Sequence, residues 1–142
     1  MANVLVVYWT GTGNTEIMAE KVKEGLENAG ATVDYRSVDA VEPDEIEGFD
    51  LVAFGCPSMG VEALEEDEFE PFFEGCEIFL KDKKVALFGS YGWGEGEWMD
   101  AWEDRVREAG AHLFEEGLKI NSTPSSEEEG TCVEFGERFA KF

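Results

Sequence analysis

The chain has 142 residues, the usual size of one domain, and carries 33 acidic against 11 basic residues for a formal net charge of −22. Such a field excludes nucleic acid and anionic membrane as partners and favours surfaces with basic patches, although solubility or adaptation to salt is a sufficient reading of the charge by itself. Hydrophobic residues still make up 43% of the chain, enough for a core, and the three cysteines, Cys56, Cys76 and Cys132, lack metal or redox-pair spacing and read as reduced thiols of a cytoplasmic protein.

The first element is Val4–Tyr8, a continuous β-branched and apolar run that reads as a strand buried on both faces. It is too short for a membrane span and has no basic region before it, so it is not read as a leader. A Gly/Thr/Asn loop follows, and Met18, Val22, Leu26 and Ala29 then recur at helical spacing up to Gly30. Thr32–Ser37 reads as a second strand, Pro43–Glu47 as one short helical turn, and Leu51–Gly55 as a third, buried strand. Phe69, Phe72, Phe73, Cys76 and Leu80 mark one face of a helix, and Val85–Gly89 is a fourth buried strand. Trp98, Ala101, Trp102, Val106 and Ala109 form another apolar stripe, His112–Ile120 a fifth strand weaker in its middle, and Cys132, Phe135, Phe139 and Ala140 a closing helix. This alternation, without repeat or linker, predicts a single α/β domain over residues 1–142: a doubly wound three-layer sandwich around a five-stranded parallel sheet in the order 2-1-3-4-5.

In such a sheet ligands bind beyond the carboxyl ends of the strands, and three loops of unusual composition leave those ends: Thr10–Thr15, Cys56–Leu64 and Ser90–Gly96. The first is suited to an anion. Gly11 and Gly13 allow close backbone approach, Asn14 opens a helix whose free N–H groups and dipole favour a phosphate, and Thr10, Thr12 and Thr15 add hydroxyl donors. No Lys or Arg occurs in Thr10–Met18, so a triphosphate loop is excluded. Glu16 replaces the third glycine of a dinucleotide loop, which leaves a single terminal phosphate as the better fit. Trp93, in a glycine loop, suits stacking on a planar ligand, whereas Trp98 and Trp102 belong to the core stripe. Trp9 ends the first strand and borders the loops.

The run Thr10-Gly11-Thr12-Gly13-Asn14-Thr15 resembles the phosphate-binding fingerprint of the flavodoxins, T/S-x-T-G-N-T. Gly55-Cys56-Pro57-Ser58-Met59-Gly60 and Phe88-Gly89-Ser90-Tyr91-Gly92-Trp93-Gly94 resemble the two flavin loops of that family, and the spacing agrees along essentially the whole chain. The long insertion in the fifth strand is lacking, as in the short-chain flavodoxins of anaerobes. The resemblance implies FMN as cofactor and no metal. Thr10, Thr12, Asn14 and Thr15, with the amides of Gly11 and Gly13, would hold the phosphate, and Ser58 and Ser90 would assist on the phosphate or ribityl side. Trp93 would stack on one face of the ring and Met59 would cover part of the other. Tyr91, Gly92 and Gly94 would complete the second flavin loop, and Glu62 would accept from ring N3. The Gly60–Val61 peptide would flip on reduction, which glycine permits because positive φ is open to it. Pro57 stands where some relatives carry serine, and Val61 where some carry a polar residue.

The function implied is a low-potential, one-electron carrier, not an enzyme, that replaces a ferredoxin as a cytoplasmic monomer. Its partners would be basic redox proteins: flavodoxin or ferredoxin reductases, 2-oxoacid oxidoreductases, and hydrogenase- or nitrogenase-type acceptors. Glu62, Glu65, Glu66, Asp67, Glu68 and Glu70 are expected to form an acidic collar for such partners, a run equally readable as a solvated helix start. The alternative is a flavin reductase acting on a quinone or other small substrate, for which neither His112 nor Cys56 offers an evident catalytic setting. A phospho-accepting signalling domain would need a carboxylate where Tyr8-Trp9-Thr10 stands.

Overall fold

The computed structural model describes residues 2–60 and 62–142. In chain order the elements are β1 (Asn3–Tyr8), α1 (Asn14–Asn28), β2 (Thr32–Ser37), β3 (Leu51–Gly55), α2 (Phe69–Cys76), β4 (Lys84–Tyr91), α3 (Glu97–Glu108), β5 (His112–Leu113), β6 (Leu118–Asn121) and α4 (Ser126–Phe139). The sheet order is β2-β1-β3-β4-β5, with β6 also on β4, and every strand pairing is parallel. This is the doubly wound arrangement that the strand–helix alternation predicts.

Both faces of the central strands are covered, which is why β1, β3 and β4 are apolar without alternation. Leu5, Val7, Val52, Phe54, Val85 and Leu87 face Phe69, Phe73, Trp98 and Trp102 of α2 and α3. The residues between them, Val4, Val6, Ala53, Ala86 and Phe88, face Met18, Val22, Leu26, Phe135 and Phe139 of α1 and α4. The two helices on this second face cross very closely. A Cβ on Gly25 would collide with the Val133 carbonyl, and one on Gly136 with that of Val22.

Three details differ from the sequence expectation. The fifth strand is split: His112–Leu113 lies beside Lys84–Val85, and Leu118–Asn121 lies beside Phe88–Tyr91. Between the halves Phe114 turns inward against Phe135 and Phe139, and Glu115 takes a positive φ of 49°. Phe114 N still donates to the Val85 carbonyl at 2.8 Å, but the buried Glu103 carboxylate accepts from Gly117 N–H at 2.6 Å, so that amide bonds to a side chain rather than to the ladder. The α2 stripe stops at Cys76, and Leu80, although buried, follows a separate short turn, Glu77–Phe79. In α3 the buried position is Met99 rather than Ala101, which is exposed, as is Ala29 after α1.

Candidate functional site

The loops after β1, β3, β4 and β6 meet at the carboxyl edge of the sheet and enclose a cleft of about 250 Å³. A second depression of about 260 Å³ adjoins it across Met59. A larger groove of about 670 Å³ lies at the opposite edge, lined by Phe49, Lys83, Lys84 and Phe142. Strands of a parallel sheet begin there, away from the edge where such sheets bind ligands.

The first loop supplies Gly11, Thr12 and Asn14 to the cleft wall. Gly13 takes a left-handed conformation at the start of α1, φ 96°, and gives the helix no side-chain cap. Its own N–H is used inside the loop, donated to Thr10 Oγ1 at 3.0 Å. That departs from the expectation that the Gly13 amide faces a phosphate: the loop needs this bond to close. The amides of Gly11, Thr12, Asn14, Thr15 and Glu16 find no acceptor among the described residues. Uncapped amides at a helix start are the donor set an anion requires, so the residues present fit a terminal phosphate. No Lys or Arg lines the cleft.

Thr15 lies beneath this wall, almost fully buried. Its Oγ1 is 3.0 Å from Ser90 Oγ and also accepts from Ser90 N at 3.3 Å, so the loops after β1 and β4 are joined under the cleft floor. The Glu16 carboxylate accepts from Tyr8 Oη at 3.1 Å.

The second loop runs along the end of β4. Cys56 N donates to the Phe88 carbonyl and Ser58 N to that of Ser90. The loop then doubles back: Met59 and Ala63 exchange backbone bonds of 2.7 and 3.0 Å, and Gly60 and Glu62 both have positive φ, 52° and 49°. Val61, also assigned to the site, lies outside the described residues. Met59 is 37% and Trp93 67% exposed, a solvent-facing pair of large apolar side chains in the two flavin-type loops. Ser58, Met59, Ser90, Tyr91 and Gly92 line the cleft with the first loop. Trp93 and Gly94 follow beyond its wall. The Glu62 carboxylate lies against Gly94 and accepts from Trp98 N at 3.4 Å, at the first turn of α3.

The acidic run is not one collar. Glu65 is buried, and its carboxylate accepts from the N–H groups of Asp67, Glu68 and Phe69 at 2.7, 2.8 and 2.8 Å, closing the start of α2. Burial opposes its charge, but the three amides outweigh burial and hold the carboxyl below its ordinary value. Glu70 is paired with Arg105 at 2.7 and 2.9 Å. Glu68 accepts from Trp9 Nε1 at 3.1 Å. Glu66 and Asp67 point outward, exposed.

Sequence reasoning sets Trp9 beside the loops and Pro57 within the second one but gives neither a binding role, and it misses Ser122 and Thr123. Trp9 lines the wall, its ring 3.0 Å from where a Gly11 Cβ would stand, and Pro57 and Ser122 line it too. Thr123 donates from Oγ1 to Asn14 Oδ1 at 2.9 Å. The available signal was the Ser122-Thr123-Pro124-Ser125 turn, which leaves a strand at the same edge as the other three loops. Cys56 is fully buried and its thiol is pushed up by burial, while His112 sits at the opposite edge of the sheet beside Lys84. Among the described residues no group of side chains is arranged to hold a metal, and no helix is long and apolar enough to cross a membrane.

The family model "Flavodoxin" matches residues 6–136. The chain is similar to the flavodoxin of Megasphaera elsdenii, 45% identical over 138 residues that cover 97% of this chain and 98% of the relative. It is 46% identical to the flavodoxin of Clostridium beijerinckii over 135 residues, 95% of this chain and 97% of that one. The solution structure of two-electron reduced Megasphaera elsdenii flavodoxin superposes with a TM-score of 0.89 at 44% identity, covering 98% of this chain and 99% of that one. Together with the cation-free anion cradle and the two flavin-type loops, these likenesses place the chain in the flavodoxin family of FMN-binding electron carriers.

Proposed function

We propose that residues 1–142 act as a single FMN domain, a low-potential one-electron carrier that works as a monomer in the cytoplasm, in the role of a ferredoxin and without a substrate of its own. The observation that carries this reading is the cradle itself. Free amides at the start of α1 lie at the same sheet edge as an exposed Trp93 and Met59, with no cation among the residues lining the cleft.

Bound FMN supplies a ring able to take electrons singly or in pairs. In this reading Thr10, Gly11, Thr12, Asn14 and Thr15 hold its phosphate, and Ser58 and Ser90 the phosphate or ribityl side. Met59, Tyr91, Gly92, Trp93 and Gly94 would flank the ring, Glu62 would accept from its N3, and the Gly60–Val61 peptide would respond on the N5 side. Gly13 serves by shaping the loop, since its amide is bound to Thr10. The phosphate, held without a cation, and the carboxylates near the cleft would oppose negative charge on the reduced ring. A net destabilisation of about 3 kcal/mol, the scale of an ill-paired and partly buried anion, lowers the second couple by about 130 mV, at ~59 mV per 1.4 kcal/mol. Glu66, Asp67 and Glu68 steer basic partners: flavodoxin or ferredoxin reductases, 2-oxoacid oxidoreductases and hydrogenase- or nitrogenase-type acceptors. A reductase of small substrates is disfavoured, because the Cys56 thiol is buried and protonated and His112 is at the far edge.

Stepwise reduction of the purified protein tests this. The expected course runs from a yellow form through a stable blue one-electron stage, with the second couple more negative than that of free FMN. Direct two-electron bleaching with steady NAD(P)H oxidation in the absence of another reductase would overturn it.

A further inference from the structure

We infer that Thr123 is a positioning residue of the phosphate site: its hydroxyl holds the Asn14 side chain by the oxygen, leaving the amide nitrogen as the donor toward the cleft. This rests on the FMN reading of that cleft. An asparagine amide has an accepting end and a donating end, and only the donating end suits a dianion. At 2.9 Å, Thr123 Oγ1 donates to Asn14 Oδ1, and among the described residues nothing accepts from Asn14 Nδ2. Asn14 lines the cleft at the first position of α1, next to the uncapped amides.

The hydroxyl is delivered by a segment fixed on both sides. Before it, Ser122 turns the chain with a φ of 59° and donates its N–H to the Tyr91 carbonyl at 2.7 Å, which ties the turn to the end of β4. After it, Pro124 is buried, and Ser125 caps α4 by accepting from Glu128 N at 3.1 Å while its own N–H donates to Glu128 Oε1 at 3.0 Å. The close crossing of α1 and α4 at Gly25 and Gly136 sets the two helix starts relative to each other. Thr123 therefore reaches Asn14 across 109 residues of sequence without depending on a flexible arm. With no lysine at the site, the correctly turned amide adds one donor to the free backbone amides at the start of α1.

The test titrates the full-length protein, freed of flavin, with FMN and with riboflavin, which lacks the phosphate, and follows flavin fluorescence. Thr123→Val keeps the shape and removes the donor. It is expected to weaken FMN about five- to tenfold, the scale of one ordinary hydrogen bond, and to leave riboflavin affinity unchanged. Thr123→Ser is expected to restore FMN binding to within about twofold of wild type, and in an Asn14→Ala background Thr123→Val is expected to have no further effect. Equal FMN affinity of Thr123→Val and wild type, equal weakening of FMN and riboflavin, or an undiminished effect without Asn14 would each overturn the role. A wild-type chain that binds neither flavin would overturn the FMN reading itself.

Discussion

Replacing Glu65 by alanine tests how the loop that follows the flavin turn is held. Three backbone N–H groups lose a charged acceptor, at 2.7, 2.8 and 2.8 Å. Asp67 and Glu68 are exposed, so water reaches their amides, whereas Phe69 is fully buried and its amide is left without a partner. An unsatisfied buried donor costs about 1–3 kcal/mol, and loss of a helix cap is of the same size, about 0.5–2 kcal/mol. These are one loss counted twice, so the cost is about 2 kcal/mol, or about 8 °C in Tm for a domain of this length. Thermal unfolding at one fixed, saturating FMN concentration measures it without a change in ligand linkage. Because the folded carboxyl lies below its ordinary value of 4.5, its contribution is complete above that value and is lost as pH falls through the lower, folded one. The gap between wild type and Glu65→Gln should accordingly narrow on acidification below the ordinary value. A Glu65→Ala protein that melts within about 2 °C of wild type, against the loss of about 8 °C expected, or a Glu65→Gln gap indifferent to acid, would refute the reasoning.

Gly60→Ala places an L side chain at a φ of 52°, at a cost of about 1–2 kcal/mol. The maximal yield of the blue one-electron stage should fall in a redox titration, and an unchanged yield would remove Gly60 from the redox role. Electron transfer to a basic reductase should slow with added salt, and Glu66→Gln with Asp67→Asn should flatten that dependence. A rate insensitive to ionic strength would assign the acidic run to solubility alone.

The central sheet is legible in the chain because Val4–Tyr8, Leu51–Gly55 and Val85–Gly89 are apolar without interruption, which only strands covered on both faces require. The phosphate loop is legible for the same kind of local reason: its glycines, threonines and helix start are contiguous. What escapes is decided at long range. Glu65, Glu68 and Glu70 look alike as neighbours in an acidic run, yet one turns inward to three amides, one meets Trp9 across 59 residues, and one meets Arg105 across 35. Thr123 resembles any turn residue until the crossing of α1 and α4 brings it to Asn14. The fifth strand reads as continuous because Leu113 and Leu118–Ile120 are both strand-like. The break comes from Glu103, a helix residue whose carboxylate claims the Gly117 amide.

That break makes the strand a natural splice point. Its halves pair with opposite ends of β4, so the register of each is set without the other. Chain inserted at the exposed pair Glu115-Glu116 would leave both ladders, and the cleft beyond β6, where they are. Lineages could lengthen the molecule there without retuning its flavin, and a fluorescent or affinity module grafted at the same point should leave the electron-transfer edge free.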